Sequence, residues 1–189
     1  MSRRYLLLQS LVIVMLLGGL VRWAGAAEEQ PPAVGDTVPD FELEDLDGQP
    51  VKLSELAKDG PVVIVMLRGW PGYQCPICSR QVGQLVGKAD ELAELGARVV
   101  LVYPGPADGL TARAQEFVRG NELPENFRFV TDPAYQMTAA YHLRWDAERE
   151  TAYPSTFIVD PKRKVTFAKV SKSHGGRTQP DEIIAALKK

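Results

Sequence analysis

Residues 61–67, Pro61-Val62-Val63-Ile64-Val65-Met66-Leu67, carry no polar side chain. A short continuous run rich in β-branched residues suits a strand buried on both faces, with other elements packed above and below it. Further along, Val82, Leu85, Val86, Ala89, Leu92 and Leu95 recur at three- and four-residue steps. That spacing predicts one apolar stripe of a single helix, ended by Gly96. Between the strand and the helix lies Cys75-Pro76-Ile77-Cys78. A buried strand, a turn holding two thiols and a helix form the frame into which the rest of the chain must fit.

The remaining pattern extends that frame. Asp45-Leu46-Asp47-Gly48-Gln49 has turn chemistry, and Ser54 is placed to cap a brief helical turn over 55–57. Strands are expected at 51–53, 98–103, 127–130, 156–159 and 165–170, and helices at 110–119, 134–141 and 181–187. Strands alternating with helices predict an α/β fold. Its centre is a mixed, mainly parallel sheet with helices on both faces, the last strand added antiparallel. Residues 34–189 form one domain, with 45% apolar residues in the chain to supply a core.

The N-terminus stands apart. Ser2-Arg3-Arg4 gives a positive start, residues 6–20 are apolar except for Gln9 and Ser10, and Gly25-Ala26-Ala27 offers small residues for cleavage. That layout predicts a signal peptide over 1–26 and a polar linker over 27–33. The alternative is an uncleaved membrane anchor over 5–21. Either reading places the domain outside the cytoplasm, in a periplasmic or other extracytoplasmic compartment, with membrane contact only if the segment is retained. A formal net charge of −2 without a basic block gives no reason to expect nucleic acid as a partner.

Two cysteines are few for an exported domain stapled by disulfides. A bridge between Cys75 and Cys78 closes so small a loop that it constrains the unfolded chain little. Redox chemistry explains the pair better. At a helix start, unpaired N–H groups and the helix dipole favour the thiolate, which attacks a disulfide sulfur or a peroxide oxygen while its neighbour resolves the intermediate. The alternatives are a zinc half-site and an inert pair. Zinc normally needs four ligands, and His142 and His174 are scattered, so no metal or cofactor is expected.

Val34-Gly35-Asp36, Pro39-Asp40-Phe41-Glu42-Leu43, residues 45–48 and residues 51–56 together resemble the opening of the alkyl hydroperoxide reductase / thiol-specific antioxidant family. Thr131-Asp132-Pro133, Ala139-Ala140-Tyr141 and Ser155-Thr156-Phe157-Ile158-Val159-Asp160-Pro161 fit its second half. The resemblance implies a thioredoxin-like fold and a redoxin, a group that includes peroxiredoxins and exported thioredoxin-like reductases.

The active segment departs from the peroxiredoxin pattern Pro-x-x-x-Thr-x-x-Cys. Read on Cys78, the pattern finds Pro71 but puts Cys75 at the threonine. Read on Cys75, it puts Arg68 and Gly72 at the proline and threonine. Where the family carries an arginine this chain has Pro154, which by resemblance to thioredoxin-like reductases implies a cis-proline facing the pair. Arg68, at the end of the buried strand, is the candidate for the missing positive charge, and Trp70 and Tyr73 are candidate walls. Thioredoxin-like geometry implies an exposed, attacking Cys75 and a deeper, resolving Cys78. The expected catalytic set is thus Cys75, Cys78, Arg68 and Pro154. The expected functions are a thiol-dependent peroxidase acting on hydroperoxides, a protein disulfide reductase or thiol carrier, or an inactive binding module. Both enzymatic readings need a thiol electron donor, whose identity the sequence leaves open.

Overall fold

A computed structural model describes residues 30–120 and 122–189. The expected signal peptide or anchor, and the start of the linker, lie outside the described residues. In chain order the elements are β1 (Glu42–Glu44), β2 (Pro50–Lys52), α1 (Leu53–Leu56), a 3-10 turn (Ala57–Asp59), β3 (Val62–Met66), α2 (Pro76–Val86), α3 (Ala89–Glu94) and β4 (Arg98–Gly105). They continue with α4 (Leu110–Val118), β5 (Phe127–Pro133), α5 (Gln136–Ala140), β6 (Ser155–Val159), β7 (Val165–Val170) and α6 (Pro180–Leu187).

Every residue of β3 is buried, and β3 lies at the centre of a five-stranded sheet ordered β5-β4-β3-β6-β7. β3 pairs with β4 in parallel, Val62 opposite Arg98, and β4 with β5 in parallel. β6 runs antiparallel to both its neighbours, β3 and β7. The reversed strand is therefore β6 rather than the last one. A tight turn, in which Arg163 N–H donates to the Asp160 carbonyl, joins β6 to β7 and makes that pair antiparallel, so β7 again runs in the direction of β3.

The two faces of β3 feed separate cores. Val63, Val65 and Leu67 pack with Cys78, Val82 and Leu85 of α2, Leu92 of α3, Leu110 of α4 and Ile183 of α6. Val62, Ile64 and Met66 pack with Leu43, Val51, Leu53, Met137 and Tyr141 on the opposite side. Helices thus cover both faces, as the apolar run requires.

Two local expectations are corrected. The stripe read as one helix is two, α2 and α3, because the chain turns at Gly87 and Lys88, where glycine contributes little to holding a helix. Leu85, Ala89 and Leu92 still share one core, which is why their spacing looks unbroken. Ser54 does not cap α1 with its side chain. Its N–H donates to Asp40 Oδ1 at 2.9 Å, so a carboxylate from the preceding segment does the work. Asp132 acts likewise at α5, accepting from the N–H groups of Met137 and Thr138 at 2.9 and 2.8 Å.

Candidate active site

The segment after β3 is pinned before it reaches the cysteines. Leu67 N–H donates to Val102 O and Trp70 N–H to Pro104 O, both at 2.9 Å. Gly69 allows this close approach. Its φ is +66°, and a Cβ there would lie 1.8 Å from the Pro104 carbonyl oxygen. Gln74 is held from two sides, accepting from Tyr103 O–H at 2.8 Å and donating to the Arg113 carbonyl at 2.9 Å. Burial pushes the Tyr103 phenol up, so it stays a donor. Cys75 is thereby delivered to the N-cap of α2, with Pro76 as the first helical residue.

At that position Cys75 Sγ accepts from Cys78 N–H at 3.3 Å, and Arg68 N–H points at Cys78 Sγ from 3.4 Å. The two thiols are unbridged. Their acidities split. The hydrogen bond from the Cys78 thiol lowers the Cys75 pKa most; burial opposes it, and the Cys78 N–H, Arg177 and Arg68 pull further, bringing it to about 5. Burial and the neighbouring sulfur push Cys78 well above the ordinary thiol value. One group is a thiolate at neutral pH and the other holds a proton beside it.

Cys75 is not exposed, contrary to the thioredoxin-like expectation. It is 3% exposed and Cys78 is 0% exposed. The loop after β7 covers it, bringing Arg177 Nη2 to 3.9 Å from Cys75 Sγ. Arg177 is itself buried, donating through Nη1 to Gln81 Oε1 at 2.8 Å and through Nε to the His174 carbonyl at 3.1 Å.

Arg68 contributes a weaker pull because its guanidinium is committed elsewhere. It donates to Glu150 Oε2 at 2.6 Å, Tyr73 Oη at 2.5 Å and the Arg149 carbonyl at 2.6 Å. Glu150 also meets His174 Nε2 at 2.8 Å, tying the 144–153 segment to the loop that carries Arg177. Thr151 Oγ1 donates to the Arg68 carbonyl. Tyr73 lies under the Arg68 guanidinium and Trp70 under that of Arg113, so both expected wall residues are cation–π partners.

Pro154 lies one residue before the Met66–Ser155 pair, at the same end of the sheet as the cysteines. Its peptide bond is trans, as no peptide among the described residues is cis. The backbone ahead of it is already paired. Residues 143–153 fold back as a hairpin in which Tyr153 N–H donates to Leu143 O and Trp145 N–H to Thr151 O, and the Pro154 carbonyl accepts from Ser171 N–H. The hairpin takes the backbone groups that a substrate strand would need.

Sequence reading missed Arg177, Gln81 and Glu150. The only local sign was Gly175-Gly176 ahead of an arginine, a turn signal without chemical content. His174 lies on the loop after β7, where its Nε2 meets Glu150.

An α/β sheet of this topology, presenting a low-pKa thiolate and a protonated thiol at one helix start, defines a thiol-dependent oxidoreductase of thioredoxin-like fold. Residues 34–168 match the AhpC/TSA family, and the chain belongs to it. A candidate peroxiredoxin of Mycobacterium tuberculosis is 29% identical over 156 residues, 82% of this chain and 95% of that protein. Thiol-disulfide oxidoreductase ResA of Bacillus subtilis is 26% identical over 155 residues, 82% of this chain and 77% of that protein. Among solved structures, peroxidoxin BcpB of Mycobacterium tuberculosis superposes with a TM-score of 0.63 at 26% identity, covering 84% of this chain and 97% of the other.

Proposed function

We propose that this chain is an exported thiol peroxidase in which Cys75 attacks a hydroperoxide and Cys78 resolves the product. The observation that carries the reading is the setting of Cys75 Sγ: 3% exposed, beneath Arg177, with the backbone ahead of Pro154 paired within the 143–153 hairpin. A small peroxide reaches such a sulfur more readily than a folded protein disulfide does. In the first step the Cys75 thiolate attacks the outer oxygen of ROOH. The O–O bond breaks, the alkoxide leaves and takes a proton, and Cys75 becomes a sulfenic acid. The Cys78 sulfur then attacks Cys75, the S–O bond breaks, and water departs with the proton that Cys78 had kept. External thiols supply the two electrons that restore the pair. Arg177, at the sulfur, takes the place of the family's missing arginine, holding the thiolate and the incoming oxygen; Arg68 adds charge and braces the hairpin. No catalytic part falls to Pro154, which is buried behind a trans peptide bond.

A protein disulfide reductase is the second reading, favoured by Tyr73 and Ile77, which flank Cys75 at 43% and 39% exposure. Stopped-flow mixing of the reduced protein with hydrogen peroxide and, separately, with insulin decides between them. Faster oxidation by peroxide, lost in Cys75→Ser, is expected; faster oxidation by insulin overturns the peroxidase reading. Export rests on the N-terminal pattern, and a mature chain beginning near Ala27 in the secreted fraction is the expected outcome.

A further inference from the structure

A cleft of about 240 Å³ opens beside the cysteine pair, between α2 and the loop that follows β7. Ile77, Arg80, Gln81 and Gln84 line it from the helix, and Arg177 and Gln179 from the loop. Its floor is rigid. Gln81 and Arg177 are 5% and 7% exposed and hydrogen-bonded to each other, and Gln179 Nε2 donates to the Arg177 carbonyl. Its rim is uncommitted. Arg80 and Gln84 are exposed, and among the described residues Arg80 makes no ion pair.

We propose that this cleft binds the reductant, and that the reductant is a small peptidic thiol carrying carboxylates. The inference rests on the Cys75–Cys78 thiol–disulfide cycle, and not on which oxidant drives it. Two arginines and three glutamines face the cleft, and among the described residues its lining holds no carboxylate. Such a surface favours an anion that also offers amides to bond, because charge-assisted contacts from guanidinium are the stronger kind. At about 240 Å³ the open cleft is smaller than the ~300–1,000 Å³ of ordinary small-molecule sites, so it seats the charged end of a short ligand and does not enclose it. Arg177 joins the cleft to the chemistry, since it lines the cleft and also stands 3.9 Å from Cys75 Sγ.

The electron flow is complete with that ligand alone. The thiolate of one bound molecule attacks the Cys75 sulfur of the disulfide, the S–S bond breaks, and Cys78 leaves and takes up a proton. A second molecule attacks the ligand's own sulfur in the mixed disulfide, releasing Cys75 as the thiolate and the ligand as its symmetrical disulfide. The low pKa of Cys75 makes it the good leaving group that this second step needs.

The test starts from full-length protein oxidised with diamide, so that peroxide plays no part. Reduction is followed with γ-glutamylcysteinylglycine and with its diethyl ester, which carries the same thiol with both carboxylates masked, each rate scaled to its thiolate concentration. The free acid is expected to reduce the disulfide about fivefold faster, the range of one or two exposed ion pairs. Arg80→Glu should abolish that difference while leaving the diethyl ester rate and the rate of oxidation by peroxide within twofold of wild type. Equal rates for acid and ester in the wild type overturn the proposal, as does an acid preference that survives Arg80→Glu. Preferential reduction by a thioredoxin-type protein, indifferent to Arg80, also overturns it. Slow peroxide oxidation alongside a preserved acid preference counts against the peroxidase reading only.

Discussion

Arg177 and Cys75 are 102 residues apart in the chain, and 3.9 Å separates Nη2 of the one from Sγ of the other. The arginine arrives on a loop, held by Gln81 and by the His174 carbonyl, so its position depends on the packing of two distant segments. Replacing Arg177 with Met should remove positive charge from the thiolate without emptying the space. Alkylation of Cys75 by iodoacetamide at about pH 5.5 should slow by roughly threefold, the effect of about one unit of pKa at a pH between the two values. Its rate above pH 8 should change little. Equal loss at both pH values would mean that Arg177 acts by shape and not by charge.

The same thiol makes folding stability depend on pH. Its pKa falls from the ordinary 9.0 to about 5 in the folded state, so between those values the unfolded chain binds the extra proton. Stability from this group is therefore fully present above pH 9, declines as pH falls, and is gone below about 5. Urea midpoints of the reduced wild type and of Cys75→Ser should diverge as pH rises from 5 to 9, the wild type gaining. A constant gap over that range would contradict the depressed thiol.

Division of labour between the sulfurs can be read from trapped species. Cys78→Ser should take up one equivalent of peroxide and stop at a sulfenic acid on Cys75, visible by mass or by dimedone labelling. Cys75→Ser should be nearly inert, because the remaining thiol is fully buried and pushed to high pKa. Oxidation of Cys75→Ser at the wild-type rate would reverse the roles.

Gly69→Ala tests the backbone that aims the site. The new methyl would meet the Pro104 carbonyl in a backbone conformation that side chains disfavour. Strain and overpacking together should cost roughly 2–5 kcal/mol in chemical denaturation. Retained wild-type stability would show that the turn can move away from β4.

Glu150→Ala leaves Arg68 with a side chain that is 3% exposed and no opposing charge. Removing one partner of a buried ion pair typically costs ~3–5 kcal/mol, so a loss near the lower figure is expected. Glu150→Gln should cost less, since the amide still accepts. Although burial works against it, the bonds from Arg68 and His174 hold the Glu150 carboxyl below its ordinary pKa. This contribution is therefore present above the ordinary carboxylate range and fades as acid protonates the group. Identical acid denaturation curves for wild type and Glu150→Gln would argue against the tie.

Legibility in the sequence followed the range of the interactions. β3 declared itself because six consecutive apolar residues, 62–67, serve two cores at once, and α2 because its buried positions repeat on one side. Cys75 and Cys78 were found by spacing, a purely local relation. Arg177 and Glu150 were not, because nothing near them in the chain distinguishes them from solvated charges; only the fold brings them to Cys75 and Arg68. Pro154 misled for a related reason. The proline resembles that of a reductase, but the hairpin over 143–153 pairs the backbone ahead of it, and that hairpin depends on pairings such as Arg144 with Ala152 that no local pattern announces.

Cys75 Sγ accepts the Cys78 amide, so the reacting atom is also the cap of α2. A sulfur committed to a covalent bond with Cys78 can no longer serve as that anionic acceptor. The opening turn of the helix then reports the oxidation state of the site, and hydrogen exchange at Ile77, Cys78 and Ser79 should quicken when the pair closes and slow again when it opens.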